Sequence, residues 1–357
     1  MPSPSPVGGL AVVPVVGIGE VEAGADLAGL LVDALAASGT GLRAGDCLVV
    51  SSKVVSKSLG LTWAGTREDA VAAGTVRVVA ERRGADGVTR VVESAAGPVM
   101  AGAGVDASNA GASAELLVLP EDPDAEAARL RAALLDRLQL ASATPLAVVL
   151  SDTAGRPWRD GLTDLALGSA GLTVLEDLRG ATDHDGRPLA VTLRAVVDEV
   201  AAAADLVKGK SDGIPAALVR GLDLAWFSPD APGARALVRV GPGDWFALGH
   251  VEAVRAALGV APGSTVSEEI GIRSVQPGEP LEVRVGRVVA LALLDVPEGS
   301  ADVGVDAGSG TAEVTLGAPD DYDLGRLVVR VEVAAASEGM RARTAQRSTT
   351  TVTLALG

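Results

Sequence analysis

The feature that most constrains the fold is a repeated pattern of short apolar runs, each ending in polar or glycine residues before a stretch with helical spacing. It begins with LAVVPVVGIGEV followed by ADLAGLLVDALAASG, and it recurs in DCLVVSSKVVSK and PLAVVLSDTAGRPWRDG. DAEAARLRAALLDRLQL and RAVVDEVAAAADLVKGK have the spacing of helices. Because ligands bind beyond strand ends in alternating α/β sheets, the pattern predicts an α/β core with its chemistry at those ends.

The chain is long enough for two domains, since its 357 residues compare with roughly 150 residues per domain. Proline and glycine are frequent between Ser228 and Asp244, and we place the boundary just beyond this segment, giving domains 1–248 and 249–357. In the second domain HVEAVRAALG predicts a helix, and strands are predicted at LEVRVGRVVALALL, GTAEVTL, LVVRVEVA and TTTVTLAL. This is a smaller, β-rich α+β domain. In the first domain, EDAVAAGTVRVVAERR is predicted as one helix.

Composition excludes several classes of protein. Cys47 is the only cysteine, so an internal disulfide and a cysteine-clustered zinc site are both excluded. The net charge of -16 argues against broad contact with nucleic acid. No apolar run approaches the ~20 residues that cross a bilayer, and the start of the chain has no basic segment typical of a signal peptide. We therefore expect a cytoplasmic protein, and a small anionic ligand can still bind in a locally basic pocket.

Lysine is confined to two tight pairs, Lys53 with Lys57 and Lys208 with Lys210, in a chain whose other basic residues are arginines. A compact, flexible ammonium is suited to phosphate oxygens, so the pairs predict a site for an anionic ligand. The segment KGKSDGIP adds flexible backbone whose N–H groups can also bind phosphate. Chance placement on exposed loops is the alternative.

Carboxylates follow two of the apolar runs. Asp106 and Asp152, the latter beside the hydroxyl of Thr153, can together hold Mg²⁺ or Mn²⁺, because hard cations prefer such oxygen ligands. From spacing alone, the favoured interpretation is that each aspartate forms a turn or caps a helix.

The segment SDTAGRPWRDG contains two arginines close to an acid and a hydroxyl. Arg156 and Arg159 can each bind a carboxylate or phosphate in a forked geometry. The structural alternative is that they pair with local acids such as Asp160 and Asp164.

In the order SSKVVSK, GVDASN, LPEDPDA, SDTAGRPWRDG, AGLTVLEDLRG, AADLVKGK and DGIPAALVRGL, these segments resemble the coenzyme F420-0:γ-glutamyl ligases, from about Val12 to Leu248. The resemblance implies GTP-dependent amide formation between the terminal carboxylate of the deazaflavin precursor F420-0 and the amine of L-glutamate. It also implies Mg²⁺ or Mn²⁺, a homodimer, and a mixed-sheet α/β fold that is not a P-loop fold.

The resemblance further implies roles for individual positions. The metal would be held by Asp106, Asp152 and Thr153, with Asp152, Arg156 and Arg159 in the catalytic site. The residues implied to surround GTP are Ile18, Gly19, Glu20, Val21, Ser52, Lys53, Lys57, Asn109, Gly209, Lys210, Ser211, Asp212, Gly213 and Ile214.

Some positions depart from the family pattern, namely Leu59, Leu61, Ala95, Ala96, Leu162, Ala190 and Lys210. They leave open two alternatives to an active F420-0 ligase. One is a catalytically impaired paralogue that binds deazaflavin or nucleotide, and the other is a ligase for a different carboxylate acceptor.

Overall fold

The computed structural model describes residues 9–84, 87–107, 116–209, 212–272 and 279–357, and these form two compact units. Unit 1 contains the residues before Arg77 together with Glu93–Arg239. Unit 2 contains Arg77–Val92 and Val240–Gly357, so a short internal segment belongs with the C-terminal part of the chain. These units are defined by contacts within the structure, so the predicted division into domains 1–248 and 249–357 stays a prediction.

The strands, in chain order, are β1 Ala11–Pro14, β2 Asp46–Ser51, β3 Thr62–Trp63, β4 Thr75–Gly84, β5 Gly87–Ser94, β6 Val99–Ala101, β7 Leu116–Leu117, β8 Leu146–Arg156, β9 Arg159–Ala170, β10 Leu175–Asp177, β11 Leu193–Ala195, β12 Ala216–Arg220, β13 Ser300–Asp306, β14 Thr311–Gly317, β15 Ala342–Arg347 and β16 Thr351–Leu356. The α-helices are α1 Leu27–Ala37, α2 Ser52–Leu59, α3 Arg67–Ala73, α4 Pro123–Arg137, α5 Val196–Lys208, α6 His250–Ala257, α7 Thr265–Ile270, α8 Leu281–Leu293 and α9 Asp321–Ser337.

The centre of unit 1 is a five-stranded mixed sheet in the order β1-β12-β2-β8-β9. Strands β2 and β8 are parallel, and the other neighbours are antiparallel. The mixed-sheet α/β prediction is therefore confirmed. Smaller two-stranded sheets pair β3 with β7 and β10 with β11, and a three-stranded sheet has the order β4-β5-β6.

Helices cover both faces of this sheet because its central strands alternate their side chains between two cores. Leu48 and Val50 of β2 face the core that includes residues of α1 and α4. Cys47 and Val49 face the opposite core with residues of α5. All four side chains are fully buried, which explains why the run reads as continuously apolar. The burial of Cys47 raises the pKa of its thiol, consistent with a purely structural role.

Unit 2 contains an antiparallel sheet in the order β13-β14-β16-β15. Helices α8 and α9 pack on it, and Val288, Leu327, Val314, Leu316 and Leu354 share one buried core. Within the described ranges, no helix in either unit is both long and apolar enough to cross a bilayer.

Two strand predictions in unit 2 are wrong, because LEVRVGRVVALALL forms α8 and LVVRVEVA lies in α9. Their valine content favours β structure locally. The buried positions are nevertheless spaced by three or four residues, as Val285, Val288 and Leu291 show in α8. The single helix predicted at EDAVAAGTVRVVAERR is also wrong, since α3 ends at Ala73 and the rest is β4.

A buried ionic network ties α6, α8 and the end of α9 together. The carboxylate of Glu338 accepts hydrogen bonds from Arg255 at 2.7 Å and Arg287 at 2.9 Å, and all three residues are buried. Burial alone would lower the pKa of Arg287, but hydrogen bonds to Glu279 and Glu338 outweigh it and hold the pKa above its usual range. Among the described residues, Arg255 forms its ion pair in this network with Glu338 alone.

We expect Glu338→Gln to destabilise unit 2 by about 3–5 kcal/mol, because breaking a buried pair leaves the arginine charge uncompensated. Chemical denaturation followed by circular dichroism measures the change. Glu332→Gln, at an exposed position of the same helix, is the matched control and should leave stability within about 0.5 kcal/mol of the parent. Equal stability of the two variants would contradict the prediction.

Candidate functional site

A cavity of about 240 Å³ opens in unit 1 beside the polar ends of β2 and β8. Because these strands are parallel and Ser51 pairs with Ser151, their carboxyl ends meet at one edge of the sheet. The residues that line the cavity are Gly19, Glu20, Val21, Ser51, Lys53, Val54, Lys57, Ser151, Asp152, Thr153, Asp164, Asp205, Lys208, Gly209, Gly213, Ile214 and Pro215.

Two loops supply the glycines of this cavity. Gly19 has a φ of 73°, in the left-handed region that favours glycine. Gly209 ends α5 with a φ of 64°, and a Cβ there would lie 2.5 Å from Oδ2 of Asp212. The backbone can therefore approach a ligand closely at both loops.

Three lysines converge on the cavity, as their pairing in the sequence suggested. Lys53 and Lys57 are one turn apart on α2 and so lie on the same face of the helix. Nζ of Lys53 lies 2.6 Å from Oδ2 of Asp106, and Lys57 forms an ion pair with Glu20. Lys208 comes from the last turn of α5 and is only 4% exposed.

Lys208 belongs to a buried hydrogen-bond network centred on Asp164. Its ammonium donates to Ser151 Oγ at 2.7 Å and forms an ion pair with Asp164. The hydroxyls of Ser151 and Thr153 donate to the same carboxylate at 2.8 Å and 2.6 Å. Burial would raise the pKa of Asp164, but the Lys208 charge and these hydrogen bonds outweigh it, so the pKa is lowered and the carboxylate stays ionised.

Asp152 is next to this network but lies in a different electrostatic environment. Burial raises the pKa of Asp152 to about 6, and the nearby negative charges of Asp164 and Asp106 add to the effect. A backbone hydrogen bond from Thr153 and the charge of Lys53 oppose it. A buried lysine therefore holds Asp164 ionised, whereas added positive charge nearby would stabilise the ionised form of Asp152.

The donor chemistry of the site fits a hard divalent cation. Asp106, Asp152 and Thr153 offer carboxylate and hydroxyl oxygens, and the raised pKa of Asp152 means that a cation beside it would relieve an unfavourable charge. Lys53 and Asp164 already contact Asp106 and Thr153, respectively. Across the residues placed in the structure, no group of three or more His, Cys, Asp or Glu side chains is arranged to hold a metal. Asp152 is thus the main candidate ligand.

Most residues expected to contact nucleotide lie around the cavity, but some do not line it. Ile18 is in the core, and the hydroxyl of buried Ser52 has no hydrogen-bond partner within the part of the chain that the structure describes. Asp212 is exposed. Three of the expected residues, Asn109, Lys210 and Ser211, lie outside the described residues.

The two arginines of SDTAGRPWRDG do not line the cavity. Arg156 and Arg159 pair at the end of the β8–β9 hairpin, and both are exposed. Between them, Trp158 has a φ of 58° and is 84% exposed. The catalytic assignment of these arginines stays a prediction.

Sequence reasoning assigned no role in the site to Asp164 or Asp205. Asp164 was considered only as a partner for the arginines, whereas its hydrogen bonds and ion pair go to Lys208, Ser151 and Thr153. The β-pairing of Thr153 with Asp164 explains the difference, because it places them side by side across the hairpin. The register of the β8–β9 hairpin is the signal that could have indicated a role for Asp164 in the site.

Comparison with known proteins identifies one matching family. The family model described as F420-0:Gamma-glutamyl ligase matches residues 16–221, a range that includes every residue lining the cavity. The coenzyme F420:L-glutamate ligase of Halobacterium salinarum is 40% identical over 251 residues, covering 64% of this chain and 92% of the relative. The enzymes of the same name from Natronomonas pharaonis and Methanothermobacter thermautotrophicus are 37% and 36% identical, covering 62% and 65% of this chain and 89% and 96% of those relatives.

The raised pKa of Asp152 predicts a pH-dependent stability. Between the unfolded value of 3.8 and about 6, the folded state binds more protons than the unfolded state, so stability falls as pH rises through this window. In metal-free buffer, Asp152→Asn should stabilise the protein at pH values above that window by about 1–3 kcal/mol, since each pKa unit corresponds to about 1.4 kcal/mol.

Urea denaturation across a pH series measures this effect. The advantage of Asp152→Asn should shrink as pH falls towards the unfolded value, whereas the exposed Asp160→Asn should show no such trend. A constant difference between Asp152→Asn and the parent at every pH would refute the electrostatic explanation.

Proposed function

The chain belongs to the F420-0:γ-glutamyl ligase family, and on this premise we propose that it is a GTP-dependent ligase that joins L-glutamate to the terminal carboxylate of F420-0. This reaction is a step of coenzyme F420 biosynthesis. The observation that carries the proposal is the convergence of three lysines and a carboxylate of raised pKa on one cavity within the matched segment.

In the proposed mechanism, the loops at Gly19 and Gly209–Ile214 and the ammonium groups of Lys53 and Lys57 bind the phosphates of GTP. Charge-assisted hydrogen bonds to phosphate are among the strongest polar contacts in proteins. The same lysines neutralise charge on the transferring phosphoryl group, which is where phosphoryl transfer most needs stabilisation.

The acceptor carboxylate attacks the γ-phosphate of GTP, which releases GDP and forms an acyl phosphate. The amine of glutamate, once deprotonated, attacks the activated carbonyl carbon and expels inorganic phosphate. No side-chain nucleophile takes part. This agrees with a chain that has one cysteine, which is buried, and two histidines, neither of which lines the cavity.

Mg²⁺ or Mn²⁺ would be held by Asp152 and Thr153, with Asp106 after exchange of its Lys53 contact, and would supply further charge neutralisation. Ser151 and Lys208 keep Asp164 ionised and Thr153 in place behind this group. Arg156 and Arg159 are proposed as contacts to carboxylate or phosphate groups of the substrates. We also propose that the functional form is a homodimer.

Mass spectrometry tests the proposed reaction directly. Purified protein incubated with F420-0, L-glutamate, GTP and Mn²⁺ should give a glutamyl adduct and an equal amount of GDP. Asp152→Ala should abolish adduct formation while the circular dichroism spectrum stays unchanged. Saturable binding of F420-0 or GTP without any adduct would favour an impaired paralogue, and GDP release only with another acceptor would favour a ligase of different specificity.

Lys57 and Glu20 allow a paired test of nucleotide binding. Lys57→Ala should weaken GTP binding by about 1.5–3 kcal/mol, the usual loss for a hydrogen bond to a charged group. Glu20→Gln should strengthen binding modestly, because it removes the carboxylate that competes with phosphate for Lys57. Calorimetric titration with GTP measures both, and Glu22→Gln, exposed and outside the cavity lining, is the control. Unaltered affinity in Lys57→Ala would refute the assignment.

A further inference from the structure

A second cavity, of about 160 Å³, lies in unit 1 and shares no lining residue with the first. Its walls are largely apolar, and small side chains such as Ala95 and Ala96 leave the space open. A cavity of roughly 150 Å³ with apolar walls takes a benzene-sized ring. This volume therefore suits one edge of a flat ring system.

Trp63, one of the lining residues, has a buried polar atom without a hydrogen-bond partner among the residues that the structure describes. The indole Nε1 of Trp63 is buried and forms no hydrogen bond with any residue that the structure describes. A buried donor without a partner costs free energy, whereas a ligand with a carbonyl or ring nitrogen at this point would satisfy it. The hydroxyl of Ser94, by contrast, is already bonded to the backbone of Ala96 and Ala103.

Arginines lie at the rim of the cavity. Arg235 donates to the backbone carbonyls of Ala95 at 3.0 Å and Glu121 at 3.2 Å, and Arg67 donates to the carbonyl of Val105 at 3.3 Å. All three carbonyls belong to lining residues. Both arginines are exposed, and these hydrogen bonds go to neutral carbonyls. The two arginine charges outnumber the single negative charge of the lining residue Glu121, so the rim favours an anionic group.

The backbone connects this cavity to the first one. Val105 lines the second cavity, and the next residue, Asp106, forms the ion pair with Lys53 at the first. Asp106 exchanges backbone hydrogen bonds with Leu117, and the following residue, Val118, again lines the second cavity. A ligand with its ring in the second cavity can therefore extend towards the lysines of the first.

We propose that the second cavity binds the flat ring end of the acceptor, a deazaflavin carrying an anionic substituent, with Trp63 Nε1 donating to a ring carbonyl and Arg235 facing the anion. The inference rests on the proposed function only in taking the acceptor as the ligand. Ala95 then determines specificity, because a larger side chain there would fill the space that the ring occupies.

The test uses the full-length protein and two probes, deazariboflavin and its phosphate monoester, titrated by calorimetry in parallel with GTP. Ala95→Leu should weaken binding of both probes at least about tenfold by steric exclusion. Trp63→Phe keeps the ring but removes the donor, and should weaken both by roughly two- to tenfold. Arg235→Gln should weaken only the phosphorylated probe. Ala72→Leu, at an exposed position of α3 outside the lining, is the matched control and should bind as the parent does.

GTP affinity should be unchanged in every variant, which also shows that each is folded; if Ala95→Leu fails to fold, Trp63→Phe and Arg235→Gln decide the test. Parent-like binding of both probes by the variants, or no binding by the parent, would overturn the inference. So would variants that lose GTP while retaining the probes, since the cavity would then hold the nucleotide base.

Probe binding that depends on Trp63, together with no glutamyl adduct, would reject the proposed function alone. An adduct with binding insensitive to these variants would reject this inference alone.

Discussion

The parallel pairing of β2 with β8 is the constraint on which the rest of unit 1 depends. It buries two continuous apolar strands at the centre of the sheet and brings Ser51 level with Ser151 at the same edge. At that edge α2 begins at Ser52 and contains Lys53 and Lys57, while β8 continues through Asp152 and Thr153. Groups 100 residues apart in sequence thus meet because two strands run in the same direction.

The lysines around the cavity have two different physical roles. Lys53 and Lys57 pair with carboxylates that are partly or largely exposed, so a polyanionic ligand can replace those partners at modest cost. Lys208 and Asp164 are both 4% exposed and share hydroxyl partners, so separating them would leave a buried charge uncompensated. Lys53 and Lys57 can therefore exchange a carboxylate partner for an anionic ligand, whereas Lys208 retains its ion pair and holds Asp164 in place.

Sequence reasoning succeeded where local pattern and tertiary structure agree. The apolar run at Cys47–Val50 is a central strand, and Lys53, Lys57 and Lys208 line the main cavity, whereas Lys210 lies outside the described residues. It failed for α8 and α9, where valine-rich composition outweighed a three- to four-residue spacing that was also present. It gave no role to Asp164, because that role depends on a hairpin register rather than on neighbours in sequence. Nothing local indicates that Arg77–Val92 belongs with unit 2.

That internal segment has a consequence for how such a protein can be shortened or recombined. Ser267 donates to Glu81, and Arg82 and Arg90 pair with Glu252 and Glu268, all within unit 2. A gene cut after Arg239 would keep the segment and discard every one of these partners, leaving the buried carboxylate of Glu81 without its hydrogen-bond donor Ser267. The chain passes from unit 1 into unit 2 at Arg77, returns to unit 1 at Glu93 and enters unit 2 again after Arg239. Exchanging one whole unit therefore requires a cut at each of these three points.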